Sequence, residues 1–487
     1  MPKNLSRSAS PRGLSPTLVM KFGGTSVGSA KAMAGAAQIV KEARANWPRV
    51  VVITSALSGV TNLLLESAAR AAQGKTAHLP GAEQTLLANH QTIAASLIPN
   101  EARRAAVMDE IGGLVRSFVE LCHAISVLGE ATPRALDAVA SLGERMSARL
   151  LAAALESAGV ASKSVEATEL IVTDDHFQSA HPDFDLTTTH TRRILLPLLE
   201  AGLTPVITGF LGATRQGIIT TLGRGGSDYS AGIIGAVLPA DDVWIWTDVD
   251  GVMTADPRLV KEAQTLPQIS YSEIAELAYF GAKVLHPKTI RPVVEAGIGL
   301  RICNTFNPTH PGTRLVANGK NDASPKKGER VVKAVTAIRQ QKLVTIEGRG
   351  MLGVPGVAAR TFAAVASTGT SVPLITQASS EQSICFSIPS EASPAVLNAL
   401  EKTFSAEIAQ RDIDRVWASE DVSIITVVGH GTRQTPGVAG QIFTQLGKAE
   451  INVLAIAHGS SDVSISMVVA SAETEKAVRA LHTLIVQ

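Results

Sequence analysis

Displaced by 81 residues, the C-terminal part of this chain matches itself: residues 344–384 fall on 425–465 without a gap, and 14 of the 41 positions are identical. The matched pairs include Gly348 with Gly429, Gly350 with Gly431, Pro355 with Pro436, Gly356 with Gly437, Phe362 with Phe443 and Ile375 with Ile456. A repeat of this length is one supersecondary unit used twice. Each copy reads as a strand, a glycine-rich turn, a helix opened by Pro-Gly, an alternating strand, a Ser-Ser-acidic turn and a further strand. Helical segments at 394–404 and 474–485 complete each copy as a small α+β domain, expected over 341–415 and 416–487. Two such units with half-exposed sheets are expected to pack edge to edge.

Ahead of the repeat, from residue 17, short β-rich runs alternate with Ala/Leu-rich helical runs, the pattern of an α/β layer with a mainly parallel sheet. Strands are predicted at 18–22, 50–54, 205–209 and 243–247, and helices at 30–45 and 135–157 among others. This large domain is expected to span 17–316. The polar, lysine-rich stretch ANGKNDASPKKGE at 317–329 reads as a linker, running on to residue 340 at the start of the repeat. Residues 1–16 are rich in Ser and Pro, carry Lys3, Arg7 and Arg12, lack the apolar core of a secretory signal, and read as a disordered tail.

Composition narrows the function. With 44 Lys+Arg against 43 Asp+Glu in 487 residues there is no basic excess to drive counterion release, so nucleic acid is not an expected partner. No run approaches the roughly 18 consecutive apolar residues of a membrane span, and no membrane partner is expected. Cys122, Cys303 and Cys385 are far apart in apolar contexts, which reads as three buried free thiols in a cytoplasmic protein rather than a disulfide framework or a zinc site.

Two phosphate-binding motifs tempt and fail. Gly74-Lys75-Thr76 resembles the end of a P-loop, but Ala69 stands where the first glycine belongs and the preceding segment is helical in pattern. Gly348 to Gly353 fits G-x-G-x-x-G, yet the repeat places Gln434 at the third glycine, and the unit is too short for a dinucleotide fold. A structural turn is the better reading. No protein-kinase signature or nucleophile elbow is present.

Three other loops carry chemistry. The first strand runs into Lys21-Phe22-Gly23-Gly24-Thr25-Ser26, where adjacent glycines expose amides to an anion beside a full positive charge, ahead of a helix expected near Ser29. A second loop, Thr221 to Asp228, holds three glycines, Arg224, Ser227 and Asp228; Ser227 or Asp228 is expected either to cap the following helix or to serve a site for phosphate and carboxylate. A third strand ends in Thr247, Asp248, Asp250 and Gly251, followed by Asp256-Pro257-Arg258. Carboxylates at the ends of parallel strands gather ligands and metal ions. Together the loops describe a polyanion site with acidic groups at hand, which suggests a nucleotide with Mg²⁺.

With these residues assembled, the chain resembles the aspartokinases of the amino-acid kinase superfamily. The opening Lys21-Phe22-Gly23-Gly24-Thr25-Ser26-Val27 is similar to that family's signature, and so, in the family's order, are residues 141–147, 223–228, 247–251, 280–287 and 304–308. The resemblance runs from about residue 18 to the end. It implies an amino-acid-kinase-type three-layer α/β sandwich followed by two ACT-like regulatory domains, with residues 374–381 closest to the threonine-sensitive class. Many members of that class carry a fused homoserine dehydrogenase, and none is expected within this chain.

The resemblance implies transfer of the ATP γ-phosphoryl group to the β-carboxylate of L-aspartate, the first step towards lysine, threonine and methionine. A carboxylate is already ionised at pH 7, so no general base is required. On the family's pattern Lys21, Arg224 and Asp228 are catalytic; Thr61, Glu144, Arg224 and Ser227 bind aspartate. Lys21, Gly23, Gly24, Thr247, Asp248, Met253, Arg258 and Lys283 bind the nucleotide. Met253 stands where the family often has tyrosine, so the contact there would be thioether packing. Which groups hold Mg²⁺ is left open. Gln377 and its repeat partner His458 are the implied effector contacts, with threonine favoured over lysine, and a homodimer or homotetramer through the ACT domains is expected. His123, His176 and His286 are assigned no direct chemistry, and Trp244 and Trp246 are read as core. Rival readings are a kinase of glutamate, acetylglutamate or a nucleotide, a non-catalytic amino-acid sensor, and a nicotinamide-dependent oxidoreductase.

Overall fold

A computed structural model describes residues 15–282, 285, 287–316, 331–351, 354–377, 382–432, 434–458 and 462–486. Most of the expected N-terminal tail and of the linker, Lys283, His286 and the Ser-Ser turns of both repeat copies lie outside the described residues. The chain forms two compact units: Met1–Val252 with Pro267–Tyr271 and Leu285–Ala317, and Met253–Leu266 with Ser272–Val284 and Asn318–Gln487.

The first unit is built on an eight-stranded sheet of β1 (Thr17–Phe22), β2 (Arg49–Thr54), β3 (Ser162–Val165), β5 (Thr204–Thr208), β8 (Asp242–Thr247), β9 (Gln268–Ser270), β10 (Gly299–Asn304) and β11 (Thr313–Val316). Its order is β3-β5-β2-β1-β8-β10-β11-β9, and all neighbours are parallel except β10 with β11. A small second sheet holds β4 (Val172–Thr173), β6 (Leu211–Thr214) and β7 (Ile219–Thr221). The central strands TLVMKF, RVVVIT and DVWIWT are nearly continuous apolar runs because the sheet is covered on both faces. Trp244 and Trp246 are core, as their alternation on the strand implied.

Alternation along β1 decides what faces what. Leu18, Met20 and Phe22 join the main core with the helices Ala30–Asn46 and Pro133–Ser157, while Lys21 turns to the opposite face, where the helix Gly226–Val237 lies. Helix starts follow local chemistry. Ser29 accepts from Ala32 N–H at 3.2 Å, and Thr132 accepts from Ala135 N–H at 3.2 Å ahead of Pro133. Among the described residues one helix, Glu101–Leu128, is long and apolar enough by composition to cross a bilayer. Its buried residues Val107, Ile111, Leu114, Phe118, Cys122 and Ile125 recur every three or four positions and pack in the main core with the helices Leu79–Leu97 and Pro133–Ser157.

The second unit realises the repeat element by element. Its six-stranded sheet has the order β13-β14-β12-β15-β17-β16, with β12 Ala334–Glu347, β13 Leu374–Gln377, β14 Ser383–Pro389, β15 Arg415–Val428, β16 Ala455–Ala457 and β17 Ser464–Ala470. Displaced by the same 81 residues, β12 lands on β15, β14 on β17, and the helix Val357–Ser367 on Val438–Lys448. The order is therefore a palindrome, and the two copies do join edge to edge, through the antiparallel pair β12–β15. Its midpoint falls at Gln341 opposite Val422, beside a register shift where Gln340 takes φ +56.

Gly348 and Gly429, the equivalent turn glycines, explain themselves by close approach. A Cβ at Gly348 would meet Asp412 O at 2.2 Å, and one at Gly429 would meet Val331 O at 1.7 Å. Gly348 and Gly350, the first two glycines of that motif, are thus packing devices of the small domain, both pressed against Asp412. Cys385, expected to be buried, is half-buried because β14 lies one strand from the sheet edge, whereas Cys122 and Cys303 are buried. Gly429→Ala is expected to destabilise the second unit by roughly 2–3 kcal/mol, read as a lowered denaturant midpoint. Gly440→Ala, in a helix where an added Cβ meets nothing within 4 Å, should stabilise slightly.

Candidate active site

The carboxyl ends of β1, β2, β5, β8 and β10 lie along one edge of the sheet, because those strands are parallel and in register: Phe22 stands beside Thr54 and Trp246, Thr54 beside Thr208, and Thr247 beside Asn304. The strands run the same way, but the order in which they are added reverses between β1 and β8, with β2 to one side and β10 to the other, which opens a crevice there. Backbone bonds fix the loops: Gly23 N–H donates to Trp246 O at 3.1 Å, Ser55 N–H to Phe22 O at 3.1 Å, and Gly209 N–H to Thr54 O at 2.9 Å.

A cleft of about 770 Å³ opens at this edge. Lys21, Gly24, Thr61, Glu144, Arg224, Ser227 and Asp228 all line it, so side chains separated by more than 200 residues in sequence share one cavity. Lys21 Nζ lies 2.6 Å from Asp228 Oδ1, both side chains being mostly buried. Arg224 is exposed and makes no ion pair among the described residues. It rides on a loop that needs glycine at Gly223 (φ +79) and Gly225 (φ +70). Gly225 occupies the N-cap of the helix Gly226–Val237 without a side-chain cap. Ser227 and Asp228, weighed as caps, instead lie inside the first turn of that helix, and no side chain caps its start beside the cleft.

Two carboxylates on one helix face behave differently. Asp137 and Glu144, seven residues apart on Pro133–Ser157, both line the cleft. Asp137 accepts from Gln178 N–H at 2.9 Å, Thr221 N–H at 2.9 Å and Thr221 Oγ1 at 2.8 Å. Burial raises its pKa in spite of these bonds. Glu144 is 4% exposed and accepts from Ala56 N–H at 3.2 Å, while its Oε2 is buried with no hydrogen-bond partner among the described residues. Burial pushes its carboxyl up to about 7, against the Ala56 bond and the charge of Lys21. A buried, half-satisfied carboxylate facing a cleft is made for a cationic ligand group.

The sequence-predicted residues divide. The Lys21–Glu144–Arg224 group converges on the cleft. Gly23 is corrected in one respect: its amide is committed to Trp246 O, so it is not available for phosphate oxygens, and Gly24 is the glycine that lines the cavity. The turn following it is a separate short helix, Gly24–Val27, ahead of the one capped by Ser29. Thr247 and Asp248 end β8 beside Gly23, hydrogen-bonded to each other at 3.2 Å. Met253 and Arg258 belong to the second unit, where Met253 bridges to Thr265 and Arg258 is exposed and paired with Asp256 at 2.6 Å. Gln377 ends β13 and His458 follows β16, both exposed at equivalent repeat positions. Asp137, Gln178 and Phe210 line the cleft and were missed, since their partners are distant in sequence.

Residues 16–304 match the amino acid kinase family, and residues 344–404 and 425–484 each match the ACT domain. The bifunctional aspartokinase/homoserine dehydrogenase 2, chloroplastic, of Arabidopsis thaliana is 36% identical over 466 residues, 96% of this chain and 50% of that protein. The chain thus spans about half the length of such bifunctional relatives. Aspartokinase 3, chloroplastic, of Arabidopsis thaliana is 33% identical over 480 residues, covering 96% of this chain and 81% of that protein. The crystal structure of E. coli aspartokinase III with aspartate and ADP (R-state) superposes with a TM-score of 0.78 at 31% identity, covering 97% of this chain and all of that one. The same enzyme with lysine and aspartate (T-state) gives a TM-score of 0.77 at 30% identity over 97% of this chain. A parallel sheet with its cleft at the carboxyl edge, a doubled ACT fold after it in sequence, and relatives matched along nearly the whole chain lead to one assignment: the chain belongs to the aspartokinases of the amino acid kinase family.

Proposed function

We propose that this chain transfers the γ-phosphoryl group of ATP to the β-carboxylate of L-aspartate, giving 4-phospho-L-aspartate and ADP. The observation that carries the reading is the convergence of Lys21, Glu144 and Arg224 on one cleft beside uncapped amides. Glu144, with one oxygen unpartnered, meets the α-ammonium, and the unpaired guanidinium of Arg224 takes the α-carboxylate in bidentate fashion. Thr61 and Ser227 add hydroxyls to the same wall. The β-carboxylate is thereby held as the nucleophile. One of its oxygens forms a bond to the γ-phosphorus as the bond to the bridging oxygen breaks, and ADP leaves without any proton transfer. Lys21, released from Asp228 towards the phosphate, offsets the charge of two anions in contact, and catalysis is positioning plus neutralisation.

Asp228 in the cleft and Asp248 at the end of β8 are oxygen donors of the kind Mg²⁺ takes, and the ion when bound would share the phosphate charge. The second unit would bind an amino-acid effector near Gln377, with threonine favoured and lysine the rival, lysine being bound by E. coli aspartokinase III. His458 in the other copy makes a differently tuned second position. Exposed Ile375 (50%) and Ile456 (45%) on the edge strands β13 and β16 fit a homodimer or homotetramer formed through that sheet. Three free thiols fit a reducing, cytoplasmic setting.

Coupled ADP release is expected with aspartate and not with glutamate or N-acetylglutamate. Lys21→Ala should lose at least about 10²–10³ in kcat, and wild-type turnover in that variant would refute the role. Arg224→Ala should raise KM for aspartate about ten- to a hundred-fold, the worth of a charged hydrogen-bonded contact.

Glu144 makes pH a second probe. Its pKa is higher folded (about 7) than unfolded (about 4.5), so the folded state keeps a proton that the unfolded state releases between these values. Ligand-free stability should therefore fall as pH rises through that window, by no more than roughly 3 kcal/mol. Glu144→Gln should abolish this component, and an unchanged profile would contradict it. In wild type, KM for aspartate should rise as pH drops below about 7. Threonine inhibition should be lost in Gln377→Ala.

A further inference from the structure

Outside the cleft, Asp174, His176 and His181 are arranged as a chelate. They lie between β4 and the helix Phe184–Glu200, and each offers a ligand atom within 4.8 Å of the others. Asp174 Oδ2 stands 3.1 Å from His176 Nδ1 and 3.3 Å from His181 Nδ1. A tetrahedral ion bound at about 2.0–2.1 Å keeps its donor atoms roughly 3.3 Å apart, so these two separations match the edge of its coordination shell.

The loop is already shaped for this. Asp174 N–H donates to His181 O at 3.0 Å and Ser179 N–H to His176 O at 3.1 Å, while Thr173 and Pro182 form an antiparallel bridge. Asp174 Oδ1 accepts from the amides of His181 at 2.9 Å and His176 at 3.3 Å, which turns Oδ2 towards the imidazoles. The rings cross at 89° with centroids 5.8 Å apart, and the side chains are 73% and 63% exposed, leaving room for water as a further ligand. Two imidazoles and a carboxylate favour Zn²⁺, Cu²⁺ or Ni²⁺ over Mg²⁺.

The same loop reaches the cleft. Gln178, between the two histidines, lines the cavity and donates its N–H to Asp137, and Ala180 N–H donates to Thr221 O at 2.9 Å, just ahead of the loop bearing Arg224. We propose that Asp174, His176 and His181 bind one divalent late transition-metal ion of the Zn²⁺ type, and that the bound ion clamps the loop that Gln178 carries to the cleft wall.

The test uses the full chain without nucleotide, in excess Mg²⁺ to fill oxygen-rich sites, titrated with Zn²⁺ alone. One equivalent should bind, and His176→Gln and His181→Gln should each weaken it at least as much as the roughly 10–100-fold that follows loss of an outer-shell partner. Zn²⁺ should also slow amide hydrogen exchange at Gln178, Ala180 and Thr221 in wild type and not in the variants. Equal affinity in wild type and both variants would overturn the site, and unchanged exchange with the ion bound would overturn the clamp. Neither readout depends on the kinase activity, so failure here leaves that reading standing and the reverse also holds.

Discussion

Everything at the cleft depends on holding an ammonium inside a β-sheet protein. Lys21 belongs to the central strand β1, every residue of which is buried, and its charge is tolerable there because Asp228 meets it at 2.6 Å. Removing water from a lone ammonium would cost several kcal/mol, so the partner is what allows a cation at that depth. Asp228 can supply it because the Gly223–Gly226 turn starts the following helix with no side-chain cap and brings the first-turn carboxylate against the strand. A pair so placed stores a positive charge that a stronger anion, such as a phosphate tail, can take over.

Asp137 and Glu144 show how one helix carries two carboxylates in opposite states of satisfaction. Both face the cleft from Pro133–Ser157. Asp137 has its hydrogen-bonding capacity filled by Gln178 and Thr221, and so ties three distant segments into the cavity wall. Glu144 keeps one oxygen unpartnered and is raised towards neutrality by burial. The first carboxylate is spent on holding the wall together; the second is left half-satisfied at its surface.

What was legible in the sequence is what short-range pattern encodes. The strands around Lys21, Val51, Val206 and Trp244 were visible as apolar runs, and the repeat as identity at a fixed offset, which β12 with β15 and β14 with β17 follow residue for residue. Lys21 and Arg224, which line the cleft, stood out because glycines cluster beside them and because the family signature is specific. Long-range facts were not legible. Gly23 gives its amide to a carbonyl 223 residues away. Asp137 looks like an ordinary helix-face charge until Thr221, 84 residues on, is seen to bond to it. Short strands such as β9 and β11 have too few residues for a period to appear, and exist because β10 offers an edge.

The seam between β12 and β15 ties the fates of the two repeat copies. Each copy's first strand is fourteen residues long and forms the inner border of its half of the sheet. A chain cut between the copies would keep a complete first half and yet bare the whole inner flank of β12, a long row of unmatched amides and carbonyls ready to recruit any passing strand. Duplication here has removed independence: neither half can be discarded without turning the other into a seed for aggregation.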